Sequence, residues 1–464
     1  MMPMSLNDVL TTVAGTVIPD TTTDLTFDSI TTDSRKSLNN SLFVAIKGAQ
    51  FDGHDYVTKV LDSGASAAIV SDLQTSDKPQ ILVDDTLIAL AALGRYQRQI
   101  HNIKTIGLTG SCGKTTTKEM ITAILSDKGK VHATRGNFNN EYGVPYTLFE
   151  LANDDDYSVI EMGAGKVGDI DYLTRIVLPN IALITCIAEA HLEGMGSLAG
   201  IAATKAEIIN GLSEHGIAIL PYDLRWLDGW KDKLSPEQTL ITFGLDENAD
   251  FYATDVIAHA ASMTFTVRGL DSSETVHLPL PGEHNVVNSL AAIAATTAAG
   301  LSLSDAVVGL QNVSATSGRL TSQAGINGSQ ILDDSYNANP SAMLAAGEVL
   351  SQYPQKKIFI AGDMAELGQE SVSIHRQVGE ALKQFAIDQL LTVGQKSAYL
   401  SEGYGEGALH FINKQSLIDY IKPELNEETV VVVKGSRSSA METVVTELTE
   451  SNSSHIHQKE TAAC

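Results

Sequence analysis

Apolar positions fall into short runs separated by turn residues, and the spacing of the runs changes twice along the chain. Ahead of His101 they occupy residues 42–46, 67–70 and 81–83 among turn formers, which predicts a small α/β unit. From Lys104 the rhythm is regular. A strand-length run at 104–109 leads through glycines into a helical stretch at 114–128. Further strand-length runs follow at 157–162, 181–187 and 216–220, with a helical segment at 201–212. Strands alternating with helices predict parallel pairing and a sheet covered on both faces. Between 251 and 280 the period shortens to two at 262–267 and 274–280, the pattern of an antiparallel edge or hairpin. An alanine-rich helix is predicted over 285–299. A second α/β alternation follows, with strands at 330–333, 357–361, 389–393 and 429–434 and helices at 341–351 and 371–385, giving a dinucleotide-fold-like unit. The segment 451–464 is polar and expected to fray, so His455 and His457 are read as part of a loose end and not as metal ligands.

A length of 464 residues favours about three domains. The changes of rhythm put their boundaries at 1–102, 103–315 and 316–464. Hydrophobic residues make up 43% of the chain and charged residues 19%, ordinary for globular cores. The net charge of −25 changes the picture more. A surface so negative repels phosphate backbones and anionic lipids, so no nucleic-acid partner is expected, and any phosphate must be held by a local site. No apolar run is long enough to insert into a membrane, and the first ten residues lack the pattern of a secretory signal. Cys112, Cys186 and Cys464 are few, odd in number and far apart, which suits a reducing cytoplasm.

The strongest chemical signal is Thr109-Gly110-Ser111-Cys112-Gly113-Lys114-Thr115-Thr116 between a predicted strand and helix. Glycines let backbone N–H groups approach an anion, the helix start adds positive charge, a lysine reaches β- and γ-phosphates, and a hydroxyl ligates Mg²⁺. Leu108 stands where the longer phosphate-loop pattern has glycine, so the match is to Gly-x-x-Gly-Lys-Thr. Cys112 is read as a small spacer, with a reactive thiol at a helix start as the alternative. Glu161 closes a strand-length run, where a carboxylate can ligate Mg²⁺ near a bound triphosphate. Taken alone, His191 reads as a structural histidine, Lys205 as a surface helix charge, and Asp154-Asp155-Asp156 as a solvated turn.

Together with the loop, several further blocks carry a resemblance: Asn137 to Pro145, Glu161 to Ala164, Ala190 to Gly200, Gly282 to Asn285 with Asn288, Ser317 to Leu320, Asp333 to Pro340, Ala361 to Gly368, and Lys434 to Ser438. In this order they resemble the Mur ligase family over nearly the whole chain. The resemblance implies a three-domain α/β architecture, with a central P-loop-type sheet and a Rossmann-like C-terminal domain that closes over ATP. It implies a ligase that adds D-alanyl-D-alanine to UDP-N-acetylmuramoyl-tripeptide, working as a monomer in the cytoplasm. ATP contacts would come from Thr109 to Thr116, Asn285, Asn288, Arg319 and Asp334. Two Mg²⁺ ions would fall to Thr115, Glu161, His191 and Lys205, the last carbamylated. Lys114, His191, Lys205 and Arg319 would be catalytic. Substrate contacts would come from Ser34, Arg35, Lys47, Asp52, His54, Asn139, Asn140, Tyr336, Asn337 and Asn339. Relatives often carry asparagine where Thr185-Cys186-Ile187 stands here. The Asp-Asn-Pro-Arg box that resembles diaminopimelate recognition in a sibling ligase is absent. A sibling muropeptide ligase, a folylpolyglutamate synthase and a non-enzymatic P-loop switch remain the competing readings.

Overall fold

Strands Lys104–Thr109, Tyr157–Glu161, Ile181–Ile184 and Ile217–Pro221 are buried along nearly their whole length, as parallel strands covered on both faces must be. They lie at the middle of the largest sheet in a computed structural model that describes residues 1–19, 24–36, 39–48, 50–269 and 271–449. His455 and His457 lie outside the described residues. The sheet has nine strands, ordered Ser272–Leu278, Ser262–Gly269, Phe251–His259, Thr239–Gly244, Ile217–Pro221, Ile181–Ile184, Lys104–Thr109, Tyr157–Glu161, Val131–Ala133. Pairing is parallel from Val131–Ala133 to the start of Phe251–His259, and antiparallel in the last three strands. The chain leaves Lys104–Thr109 to one side and returns to the other, so the strand order reverses at that strand's carboxyl end. Such a switch point opens a crevice for ligands.

The sheet's helical cover depends on small side chains. Helix Glu283–Ala298 buries Ala291, Ala292, Ala294 and Ala295 completely and packs against helix Lys114–Ser126. The first sheet is ordered Thr16–Ile18, Gln80–Leu82, Ala67–Val70, Ser41–Val44, Ser29–Thr31. The last is ordered Thr321–Ala324, Gln330–Asp334, Thr429–Lys434, Lys356–Ala361, Gln389–Val393, Ala408–Phe411. Each is parallel apart from its first strand. The α/β class expected from the rhythm is therefore what the chain forms. Among the described residues no helix is long and apolar enough to cross a membrane.

Several strands escape the sequence pattern. Thr239–Gly244 begins with an exposed threonine and two half-buried residues, which blurs its apolar run. Phe251–His259 has an exposed outer half, and its register slips between Thr254 and Ile257, where Asp255 takes a φ of 54°. The three-residue strand Val131–Ala133 and the mostly exposed Ala408–Phe411 are sheet edges. The helix expected over 201–212 starts at Leu198, because Ser197 Oγ accepts from Gly200 N at 3.1 Å, and it tightens to a 3₁₀ turn over Glu207–Gly211.

Helix Thr86–Ile100 fastens the first sheet to the second. Asp85 caps it, accepting from Leu87 N at 2.7 Å and Ile88 N at 3.0 Å. Gly94 lies so close to Pro145 that a Cβ there would meet Pro145 Cα at 2.9 Å. The buried Arg98 guanidinium donates to the carbonyls of Val177, Leu178 and His101 and to Asn180 Oδ1. Val177 ends helix Asp169–Val177, so its negative end receives the cation.

Candidate functional site

The loop after Lys104–Thr109 can only be built with glycine at two positions. Gly110 has a φ of 151°, and a Cβ would stand 2.0 Å from Thr185 Oγ1. Gly113 caps helix Lys114–Ser126 with a φ of 75°, and a Cβ would meet Asn288 Oδ1 at 2.3 Å. The neighbouring strand end pins the loop: Ser111 N donates to Cys186 O at 3.0 Å and Thr185 Oγ1 to Cys112 O at 2.5 Å. Thr109 Oγ1 donates to Met162 O at 2.8 Å, and Lys114 Nζ curls back to Gly110 O at 2.7 Å.

Glu161 is the last residue of its strand and is 2% exposed. Its two oxygens are divided: Oε2 accepts from Thr115 Oγ1 at 3.0 Å, and Oε1 from Asn139 Nδ2 at 2.8 Å. Arg319 arrives just ahead of the third sheet and donates from Nη2 to the same Thr115 Oγ1 at 3.0 Å. Its guanidinium carbon lies 4.4 Å from the centre of the Tyr336 ring, a cation–π contact that fixes the plane of the fork. Loop, strand end and third domain thus meet at one hydroxyl.

His191 sits at a φ of 55° ahead of the short helix Leu192–Met195, and its Nδ1 pairs with Glu366 Oε2. The pairing holds the Glu366 carboxyl below its ordinary range. Glu366 also has a positive φ, 61°, so two unusual backbone turns bring this pair together across the domain junction. Lys205 is 1% exposed and, among the described residues, forms no ion pair. Burial, then the nearby Lys114 charge, pulls its pKa to about 7, against the pull of Asp169, Cys186 and Glu207.

Asn285 is held by Pro281 O at 2.7 Å and receives Asn288 Nδ2 at 3.1 Å. Asp334 is buried at a strand end, where Lys434 Nζ donates to it at 2.6 Å and to Asn337 O at 2.9 Å. Burial pushes the Asp334 carboxyl up, while Lys434 and Arg319 pull it down. Asn339 caps helix Pro340–Ser351 through Ala342 N and reaches Cys112 Sγ with its Nδ2 at 3.3 Å. Asn140 Oδ1 accepts from Gly143 N at 2.9 Å.

A cavity of about 1180 Å³ joins these groups. Of the residues expected at the site, Ser111 to Thr116, Asn139, Asn140, Glu161, His191, Asn285, Asn288, Arg319, Asp334, Tyr336, Asn337 and Asn339 line it. Thr109, Gly110 and Lys205 are outside the lining, the first two in the strand and turn that carry the loop. The amino-terminal set is elsewhere. Ser34 occupies a half-buried turn in which Arg35 forks onto Asp33 at 2.9 and 3.1 Å. Lys47 stands 3.7 Å from Asp52, and Asp52 lies 2.6 Å from His54 Nδ1, whose Nε2 accepts from Ser71 N at 3.0 Å. Sequence alone does not single out Glu366, Lys434 or Cys186. Glu366 and Lys434 fall in blocks that carry the resemblance, and Cys186 falls in the segment Thr185-Cys186-Ile187. Asp154-Asp155-Asp156 is the expected turn, tied to Lys130.

Among the described residues no three His, Cys, Asp or Glu side chains gather as a ready metal nest. The Thr115 hydroxyl and Glu161 carboxylate are nonetheless adjacent hard oxygen donors at a loop suited to triphosphate, the donor chemistry that Mg²⁺ takes when phosphates complete its shell.

Three family models match the chain. Residues 26–98 match the "Mur ligase family, catalytic domain", 108–296 the "Mur ligase middle domain", and 318–437 the "Mur ligase, glutamate ligase domain". The UDP-N-acetylmuramoyl-tripeptide–D-alanyl-D-alanine ligase of Escherichia coli K12 is 44% identical over 430 residues, covering 92% of this chain and 95% of the relative. A crystal structure of MurF from Acinetobacter baumannii superposes with a TM-score of 0.92 at 36% identity, covering 97% and 99% of the two chains. A MurF ligase of Thermotoga maritima in complex with ADP superposes with a TM-score of 0.82 at 28% identity, covering 90% and 96%.

Proposed function

The chain belongs to the Mur ligase family, and from that premise we infer that it is the ATP-dependent ligase joining D-alanyl-D-alanine to UDP-N-acetylmuramoyl-tripeptide in peptidoglycan synthesis. The observation that carries the chemistry is the chain of contacts from Arg319 through Thr115 to Glu161 beside Lys114. We read the partners as small molecules and the working unit as a cytoplasmic monomer.

A carboxylate is a poor electrophile. Transfer of the γ-phosphoryl group of ATP to the terminal carboxylate of the tripeptide gives an acyl phosphate. Attack by the dipeptide amine then forms the amide and expels phosphate. Phosphoryl transfer asks for positioning and charge neutralisation more than covalent help. Two like unit charges at about 4 Å repel by roughly 4 kcal/mol at a surface-like dielectric. Lys114 and Arg319 offset that repulsion in an otherwise acidic protein. Thr109 to Thr116 would hold the phosphates, while Asn285, Asn288 and Asp334 would hold the rest of the nucleotide. Thr115, Glu161 and His191 would hold Mg²⁺, which supplies further charge neutralisation when bound.

Lys205 has the burial and the lowered pKa of an amine that is substantially neutral near pH 7. Such an amine adds to CO₂, releasing one proton and becoming a carbamate anion, which would complete the oxygen-donor set. Lys205→Ala is then inactive and partly rescued by short carboxylic acids; full activity without rescue would make Lys205 a packing residue. Ser34, Arg35, Lys47, Asp52 and His54 would receive the uridine diphosphate end. Asn139 and Asn140 would receive the peptide, and Tyr336, Asn337 and Asn339 the incoming dipeptide. The dipeptide α-amine, with a pKa of about 8, needs orientation more than a strong base.

Mass spectrometry of a reaction containing the purified protein, ATP, Mg²⁺, UDP-muramoyl tripeptide and D-alanyl-D-alanine tests the reading. Pentapeptide and ADP are expected only when every component is present. ADP release independent of the two peptide substrates would overturn it.

A further inference from the structure

Two cysteines stand within the phosphate site without a role in the chemistry above. Cys112 belongs to the loop and Cys186 to the end of the neighbouring strand, and both line the large cavity. Backbone pairing holds their segments side by side, Thr185 N to Thr109 O at 2.9 Å and Ser111 N to Cys186 O at 3.0 Å. The two side chains are also engaged with each other's residue. Cys112 N donates to Cys186 Sγ at 3.1 Å, and Cys186 Sγ donates to Cys112 O at 3.4 Å. We infer that Cys112 and Cys186 form an oxidisable dithiol, at which a peroxide closes a reversible disulfide across the ATP-binding loop.

The environments of the two sulfurs divide the labour that such a reaction needs. The neighbouring Cys186 thiol does most to lower the Cys112 pKa, and Ser341, Asn339 and the Lys114 charge act in the same direction against burial, so Cys112 is held below the ordinary thiol range. Cys186 is pushed up by its neighbouring sulfur and by burial, and keeps its proton. An accessible, thiolate-rich cysteine beside a protonated partner is the arrangement of an attacking and a resolving thiol. The Cys112 thiolate attacks one oxygen of hydrogen peroxide, the O–O bond breaks, and sulfenic acid and hydroxide result. The Cys186 sulfur then attacks the sulfenic sulfur and loses its proton, and the departing OH leaves as water. Overall, two thiols and one peroxide give one disulfide and two waters, the sulfurs losing the two electrons that the peroxide gains. Thiol–disulfide exchange with a small dithiol reverses the change.

The bridge would act on ATP handling through contacts already described. Asn339 Nδ2 at 3.3 Å and Ser341 Oγ at 3.5 Å meet Cys112 Sγ from the third domain. A sulfur drawn toward Cys186 leaves both and drags the loop that precedes Lys114. Displacement of that loop costs on the order of tenfold to a hundredfold in turnover. The inference rests on the loop holding ATP, but bond formation is read separately from activity.

The test uses the full chain carrying Cys464→Ser, treated with hydrogen peroxide, alkylated, digested and analysed by mass spectrometry. A linked peptide pair containing Cys112 and Cys186 is expected, in a monomeric chain lighter by two hydrogens. Binding of a fluorescent ATP analogue should fall with turnover, and dithiothreitol should restore both. In the further variant Cys186→Ser the link is lost and Cys112 becomes trappable by dimedone. Oxygen added to Cys112 without a link, a link only between two chains, or a link with nucleotide binding unchanged would each overturn the inference. So would reversible inactivation of Cys186→Ser to the same extent. Failure of pentapeptide synthesis with a normal bridge would count instead against the proposed function.

Discussion

The two regions that sequence marks for substrate are built in opposite ways. In the amino-terminal region the groups satisfy one another locally: Arg35 on Asp33, Lys47 and His54 on Asp52, and His54 Nε2 on Ser71 N, all within one small sheet and its turns. Around the phosphate loop the partners come from far apart in the chain. Thr115 meets Glu161 and Arg319, Cys112 meets Asn339, and His191 meets Glu366. The first region is preformed within a domain, whereas the second is complete only when the third domain lies against the second. Under the proposed function, binding of the sugar nucleotide would be separable from chemistry, whereas phosphoryl transfer would require the domain contact.

Substitutions can break that contrast. Lys114→Ala should reduce ADP formation by about 100- to 1000-fold, with an unchanged melting temperature. Normal ADP formation would mean that Lys114 takes no part in phosphoryl transfer. Arg319→Ala should cost about 100-fold in kcat while leaving affinity for the sugar nucleotide, read by calorimetry, within about twofold. Equal losses in both would mean that the two regions are not separable.

The histidines sharpen the contrast. His284 lines the cavity with Nδ1 buried and unpartnered, and burial, followed by Lys434, pulls its pKa to about 4. An unfolded chain takes up that proton below about pH 6.5, the folded chain only near 4, so between these values unfolding binds more protons. Stability should then fall by about 1.4 kcal/mol for each unit of acidification within this window. Calorimetric melting between pH 7 and 5 checks this, and His284→Gln should flatten the slope. His54→Ala leaves Ser71 N without its partner and takes the imidazole from Asp52, and should cost about 1–2 kcal/mol in stability, raising KM for the sugar nucleotide more than it lowers kcat. A fall in kcat alone would place His54 with the chemistry.

How much of this is legible in the sequence follows the same division. Lys104–Thr109, the loop and helix Lys114–Ser126 are written locally, as apolar run, glycine and amphipathic period, and the structure has them within two residues. Glu161 is found from its place at a strand end. Thr239–Gly244 and Phe251–His259 are missed because half-exposed edges and a bulge dilute the alternation that marks a strand. Lys205 looks like a surface helix charge because burial is tertiary information, and only folding shows it sealed at 1% exposure. Glu366 and Cys186 escape for the same reason, since each acquires its partner across a domain junction or a strand gap. His54 shows the converse. The Asp-Gly-His spacing is visible, but the contact with Ser71 that occupies the second ring nitrogen is not.

Under the proposed function this site makes a substrate acid reactive by phosphorylating it. Tripeptide substrate labelled with ¹⁸O in its terminal carboxylate, turned over with ATP and D-alanyl-D-alanine, tests this most directly through the mass of the released phosphate. One labelled oxygen in each phosphate is the predicted result, and unlabelled phosphate formed alongside pentapeptide would contradict it.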